Sequence, residues 1–174
     1  VAVDTLRKNL KRLCKSIEVG GSGRNVTLVY NPLWNNSSQV WVHTTPSNVG
    51  ETRVDAFPPQ AGSKCSVTSI ETVTLDNLAP LIKTKRAIIK IDVEGQEARV
   101  LAGGIQFFNS FSVDSILMEW RIVNAGTASN NTDANYIISF LKARNFAPFQ
   151  VHTDKSLEFE NPCKVAGRYL LDKT

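Results

Sequence analysis

Residues 87–104 read AIIKIDVEGQEARVLAGG. Ile88, Ile89, Ile91 and Val93 are β-branched, a composition that favours a strand packed among neighbours. Lys90 interrupts the run and must reach the sheet's edge or an acidic partner. Asp92 falls at the carboxyl end, the side of an open α/β sheet on which ligands bind. Asp92 and Glu94 lie two residues apart, so on an extended chain both point the same way. Gly95 permits a backbone angle that other residues avoid. Glu97 then falls in a first helical turn, where the helix dipole favours an anion. Val100 and Leu101 pack that helix back onto the strand, and Gly103-Gly104 end its regular part. Two readings fit the acidic residues: caps for the helix, or a ligand-binding or catalytic group. Spacing does not choose between them.

Outward from this stretch the chain alternates strands and helices. On the amino-terminal side, Val3, Leu6, Leu10, Leu13 and Ile17 recur at spacings of three and four, which predicts a helix with one apolar stripe. Asp4 or Thr5 can cap it, and Gly20 or Gly21 can supply its left-handed stop. Arg7, Lys8, Lys11, Arg12 and Lys15 fill its other face. Strands are predicted over Val26–Tyr30, stopped by Asn31-Pro32, and over 39–44, 51–57 and near Val73. A loop runs over 58–64, and a brief helix starts at Asp76. After a helix from Gln96 to Phe108, residues 114–120 (DSILMEW) form a strand without polar alternation, as expected when both faces are covered. Thr132–Arg144 is a helix with Ile137, Ile138, Phe140 and Leu141 inward. Short strands near 146–151 and 168–172 finish the chain. This order predicts one α/β domain over residues 1–174 with a mostly parallel sheet.

The chain has 174 residues, 42% hydrophobic and 21% charged, enough for a core without metal or disulfide staples. Its net charge of +4 permits nucleic acid or an anionic substrate without demanding either. Cys14, Cys65 and Cys163 are widely spaced and form no C-x-x-C pair, so buried free thiols are expected. Four N-x-S/T sequons, at Asn25, Asn35, Asn36 and Asn130, sit in a chain rich in Asn, Ser and Thr, where such triplets arise by chance. His43 and His152 stand alone, so no metal site is expected. No apolar run reaches the length of a membrane span, and no signal peptide opens the chain. Trp34, Trp41 and Trp120 are expected in the core, Trp120 being the best candidate for a substrate groove because it follows Glu119 at a strand end.

The run KIDVEGQEARVLAGG resembles the signature of FkbM-type methyltransferases. Lys90, Ile91, Asp92, Val93, Glu94, Gly95, Glu97, Val100, Leu101 and Gly103 match it residue by residue. TVTLDNL (72–78), Leu6 to Asn9, NVTLVYNPL (25–33) and ILMEW (116–120) resemble flanking segments of the family more weakly. The resemblance implies a Rossmann-like class I methyltransferase fold and S-adenosylmethionine as cofactor. It implies methyl transfer to an oxygen, that of a sugar or small-metabolite hydroxyl. A hydroxyl needs a carboxylate within reach to take its proton. Asp92 is the first choice for that base or for orienting the substrate, Glu94 the second and Glu119 the third. Asn31, Pro32 and Leu33 would border the adenine.

Two family features have no evident counterpart. The glycine-rich cofactor turn should follow a strand, whereas GGSGR (20–24) follows a helix. Val1–Val3 looks too short for a sheet strand, and Asp4 too close to Asn9 to be the acid that binds ribose hydroxyls. The expectation is therefore a partial domain, truncated at its amino-terminal side, with unpaired edges on the strands 26–30 and 87–92. A noncatalytic remnant of the fold, serving as a binding or scaffold module, is the alternative. A third reading makes Arg7–Lys15 a nucleic-acid contact, but a solvated helix face is the expectation there, with no nucleic-acid partner.

Overall fold

The computed structural model describes residues 1–23, 25–45, 48–59, 66–120, 132–151, 157–158 and 167–173. The chain divides into two compact units, Val1–Lys83 and Thr84–Thr174.

In the first unit, strand β1 (Ala2–Val3) pairs in parallel with β2 (Leu28–Val29), and helix α1 (Arg7–Val19) connects them. Leu10 is buried, while the five cations from Arg7 to Lys15 are exposed, as the apolar stripe requires. No side chain caps α1 from its N-cap residue, Leu6. Asp4 acts one step earlier: its Oδ1 accepts from the Leu6 amide at 2.6 Å and its Oδ2 from the Asn9 side chain at 3.1 Å. At the other end Gly21 takes φ +66°, and the amides of Ser22 and Gly21 donate to the carbonyls of Ile17 and Glu18. That is a Schellman closure, which glycine makes at no steric cost.

A three-stranded antiparallel sheet, β3 (Gln39–Thr45), β4 (Asn48–Asp55) and β5 (Ser66–Glu71), follows in the order β4-β3-β5. Among the described side chains of this sheet Val40 and Val42 are buried, and Trp34 is buried as a core residue. Buried Thr72 ties the sheet to the preceding loop. Its hydroxyl donates to the Asn36 carbonyl at 2.7 Å and accepts from the Ser38 amide at 2.9 Å. Thr74 and Asn77 form a reciprocal capping box on α2 (Leu75–Leu78), and a 3-10 turn (Ala79–Leu81) closes the unit.

The second unit is built on a five-stranded sheet. It contains β6 (Arg86–Ile91), β7 (Ser112–Trp120), β8 (Phe146–Val151), β9 (Leu157–Glu158) and β10 (Gly167–Lys173), in the order β6-β7-β10-β8-β9. Helix α3 (Glu97–Ala102), α4 (Ile105–Ser110) and α5 (Thr132–Lys142) accompany it. Gly103-Gly104 break the long helix read from the sequence into α3 and α4. Val113, Ile116 and Met118 of β7 are buried together with Leu101, Ile137, Phe140 and Leu141. Phe107 stacks on Phe111 at 4.5 Å, and Phe108 meets Phe140 edge-on at 5.1 Å, arrangements that suit the ring quadrupoles.

Four expectations are corrected. The sheets are mixed rather than mostly parallel: β6 runs parallel to β7, but β10 is antiparallel to both β7 and β8. A two-residue ladder at Ala2–Val3 makes that segment a strand after all, because the Ala2 and Asp4 amides find carbonyls at Thr27 and Val29. Strand β6 pairs only with β7 among the described residues: it is an unpaired edge, as expected above for strand 87–92, and not the strand packed among neighbours that its composition favours. Its side chains alternate between exposed and half-buried positions up to buried Ile91, and Ile88 is 76% exposed. Apolar composition on both faces signals two coverings, but it cannot say which element supplies each. Finally, Cys14 is exposed on α1, while Cys65 and Cys163 lie outside the described residues. No helix among the described residues is long and apolar enough to cross a membrane.

The two isoleucines of this strand pair should behave oppositely. Ile116→Ala, at a fully buried site, is expected to cost about 2–5 kcal/mol. Ile88→Ala should stay within about 0.5 kcal/mol, as exposed substitutions do. Urea unfolding of both variants checks this contrast.

Candidate active site

The register of the parallel pair sets the site. Ile91 faces Met118 across the ladder, so the residues that follow, Asp92 and Glu119, come side by side at the carboxyl ends of β6 and β7. Glu94 joins them from the turn beyond. Asp92, Glu94 and Glu119 each offer a carboxylate oxygen within 4.8 Å of the other two. Asp92 is exposed, the other two half-buried. Lys90 reaches along the strand as its position demands, its Nζ 2.7 Å from Asp92 Oδ2.

A tight turn delivers Glu94. The Gln96 amide donates to the Val93 carbonyl at 3.3 Å, and the two central residues, Glu94 (φ +53°) and Gly95 (φ +93°), are both left-handed. Positive φ at both central positions is the mark of a type I′ turn. Glycine enters this region freely, but a glutamate held there costs roughly 1–3 kcal/mol, a strain that clusters at functional sites.

Glu97, first residue of α3, is the residue whose importance the sequence reading missed. The sequence places it in a first helical turn and in the family-like signature but gives no sign of its burial, and it is 2% exposed. Its Oε1 accepts from the Gly95 amide at 3.2 Å, while its Oε2 is buried without a hydrogen-bond partner among the described residues. Burial raises its carboxyl above the ordinary value of 4.5, and the charge on Glu119 adds to this. The amides of Glu97, Gly95 and Val93 oppose the rise but do not overcome it. The available signal was positional: an acidic residue two places after a turn glycine can fold back onto the turn's amides.

The adenine-side candidates belong to the first unit. Asn31 is committed to structure, its Nδ2 donating to the Glu71 carbonyl at 2.8 Å. Pro32 is fully buried, which leaves it no surface for a ligand, and its carbonyl accepts from Val73. Leu33 forms a parallel bridge with Val73 and is half-buried. Asp4 stands at the carboxyl end of β1, with α1 following and a parallel strand after that. Both of its carboxylate oxygens are taken up there, by the Leu6 amide and the Asn9 side chain, so like Asn31 it serves the fold. His43 has a partner in Asp55, Nε2 to Oδ2 3.2 Å, in the middle of the antiparallel sheet. His152 lies outside the described residues.

Residues 1–148 match the family model described as the methyltransferase FkbM domain, and the chain belongs to that family. No curated protein and no solved structure matches it.

Two stability predictions follow from the turn. Glu94→Gly should stabilise the fold by up to about 1 kcal/mol, because glycine relieves the left-handed strain. Gly95→Ala should destabilise it by roughly 1 kcal/mol or more. An added Cβ there meets nothing within 4 Å, so the loss is conformational and not steric. A third concerns pH. The folded state holds the Glu97 proton more tightly than the unfolded chain, so this residue's contribution is most favourable at low pH. It is lost as pH rises from 4.5 through the raised folded value. Glu97→Gln should therefore flatten the decline in stability toward neutral pH, measured by chemical denaturation across that range.

Proposed function

We propose that this chain is an S-adenosylmethionine-dependent O-methyltransferase acting on a hydroxyl of a sugar or small metabolite. The observation that carries the reading is the meeting of Asp92, Glu94 and Glu119 at the carboxyl ends of two parallel strands, in a chain of a methyltransferase family. When bound, the cofactor supplies a methyl group on a cationic sulfur, whose carbon–sulfur electron pair leaves with the sulfur.

The donor set suits both parts of such a reaction. Carboxylates attract a sulfonium, and a hydroxyl becomes a competent nucleophile when a carboxylate takes its proton as the oxygen–carbon bond forms. Asp92 is assigned that proton or the orientation of the hydroxyl, with Glu94 and Glu119 flanking it. Lys90 holds the Asp92 carboxylate in place through their ion pair. Leu33 is the member of 31–33 best placed to border the adenine, since Asn31 and Pro32 serve the fold.

The fold family also accommodates a second reading, a noncatalytic binding or scaffold module, which the ion-paired and exposed state of Asp92 favours. Calorimetry with S-adenosylmethionine and a turnover assay over a panel of hydroxylated acceptors separate the two. Asp92→Asn should lower kcat by about 10²–10⁴. Unchanged turnover in Asp92→Asn would remove that residue from the chemistry. No cofactor binding by the unaltered chain would favour the scaffold.

A further inference from the structure

The turn at Val93–Gln96 is closed around a residue that resists it. Glu94 stands left-handed at φ +53°, where a side chain is strained, so the turn tends to open unless its surroundings hold it. A flip to a type II′ turn is no way out, because that turn wants glycine at the first central position. Opening the turn would swing the Gly95 N–H away from its present direction. In this structure it points at Glu97 Oε1, 3.2 Å away. The side chain of Glu97 is 2% exposed, so no water competes for that amide from its direction.

We propose that Glu97 is the positioning residue of the site, its buried carboxylate holding closed the turn that keeps Glu94 beside Asp92 and Glu119. This deepens the methyltransferase reading and rests on it for the catalytic consequence alone; the hold on the turn stands on geometry. A buried glutamate at the first position of a six-residue helix is a poor choice for packing, since desolvation of its carboxyl opposes folding. A side chain of similar volume without polar atoms would fill the space at lower cost. What the carboxylate supplies, and such a side chain does not, is an acceptor fixed by the core and aimed at one amide of the turn.

Three variants test this in the full chain: Glu97→Gln, Glu97→Leu and Glu97→Asp. Glutamine keeps an oxygen at the same reach, leucine keeps volume only, and aspartate keeps the carboxylate but withdraws it by one methylene. Hydrogen exchange of the Gly95 amide and the carboxyl carbon resonances of Glu94 and Glu119 are read by NMR, with circular dichroism to establish that each variant folds. In Leu and Asp variants the Gly95 amide should exchange about tenfold faster or more. The Glu94 resonance should move, and both readouts should return to the unaltered values with Gln. In turnover, kcat should fall about tenfold or more for Leu and Asp with KM nearly constant, and recover with Gln.

Equal Gly95 protection in all folded variants would overturn the proposal. So would a Gln variant as deprotected as Asp, a comparison that survives if Leu does not fold. Absence of methyl transfer in the unaltered chain would instead count against the methyltransferase reading, and the exchange results would still decide the role of Glu97.

Discussion

The site depends on one alignment: Ile91 opposite Met118 in a parallel ladder. Parallel strands end on the same side of a sheet, so register alone brings Asp92 and Glu119 together although they are far apart in sequence. A slip by one residue would turn every side chain of β6 to the other face and separate the carboxylates. The burial of Ile91, Val113, Ile116 and Met118 forbids that slip. The hydrophobic core therefore acts on chemistry as well as on stability, because it fixes where two charges meet.

The turn after β6 adds a second constraint of a different kind. Helix α3 must begin almost at once, and Glu94 sits left-handed within that short connection, at a cost the rest of the unit has to offset. Glu97 is buried for the same reason that Gly95 is glycine: both serve the geometry of two peptide units. Strain in the backbone and a desolvated acid, found within four residues of each other, would be defects in a purely structural turn. Beside three converging carboxylates they are consistent with a site whose side chains must not drift.

Much of this was legible in the sequence. β-Branched residues at 88, 89 and 91 gave the strand, Gly95 gave a turn needing positive φ, and the stripe through Leu10 gave α1 with Gly20 or Gly21 as its stop. Asp92 and Glu94 do come close, but through the left-handed turn at Glu94 and not through the two-residue strand period that suggested it. Glu119 was readable as a strand-end acid, though its proximity to them needed the register, which no local pattern carries. Three things were hidden for identifiable reasons. The exposure of Ile88 depends on which elements cover each face of β6, not on the strand's own composition. The strand at Ala2–Val3 is too short for any periodicity. The direction of β10 shows only in its pairing with β7 and β8, and the antiparallel wedge between them followed from no feature of residues 167–173.

If the three carboxylates act on one point, they should not act independently. A double-mutant cycle on methyl-transfer turnover, using Asp92→Asn, Glu119→Gln and the combined variant, measures this directly. The expected result is strong non-additivity, with the double variant scarcely slower than the worse single one. Losses that simply multiply, each residue contributing its own factor regardless of the other, would contradict a shared site at the ends of β6 and β7.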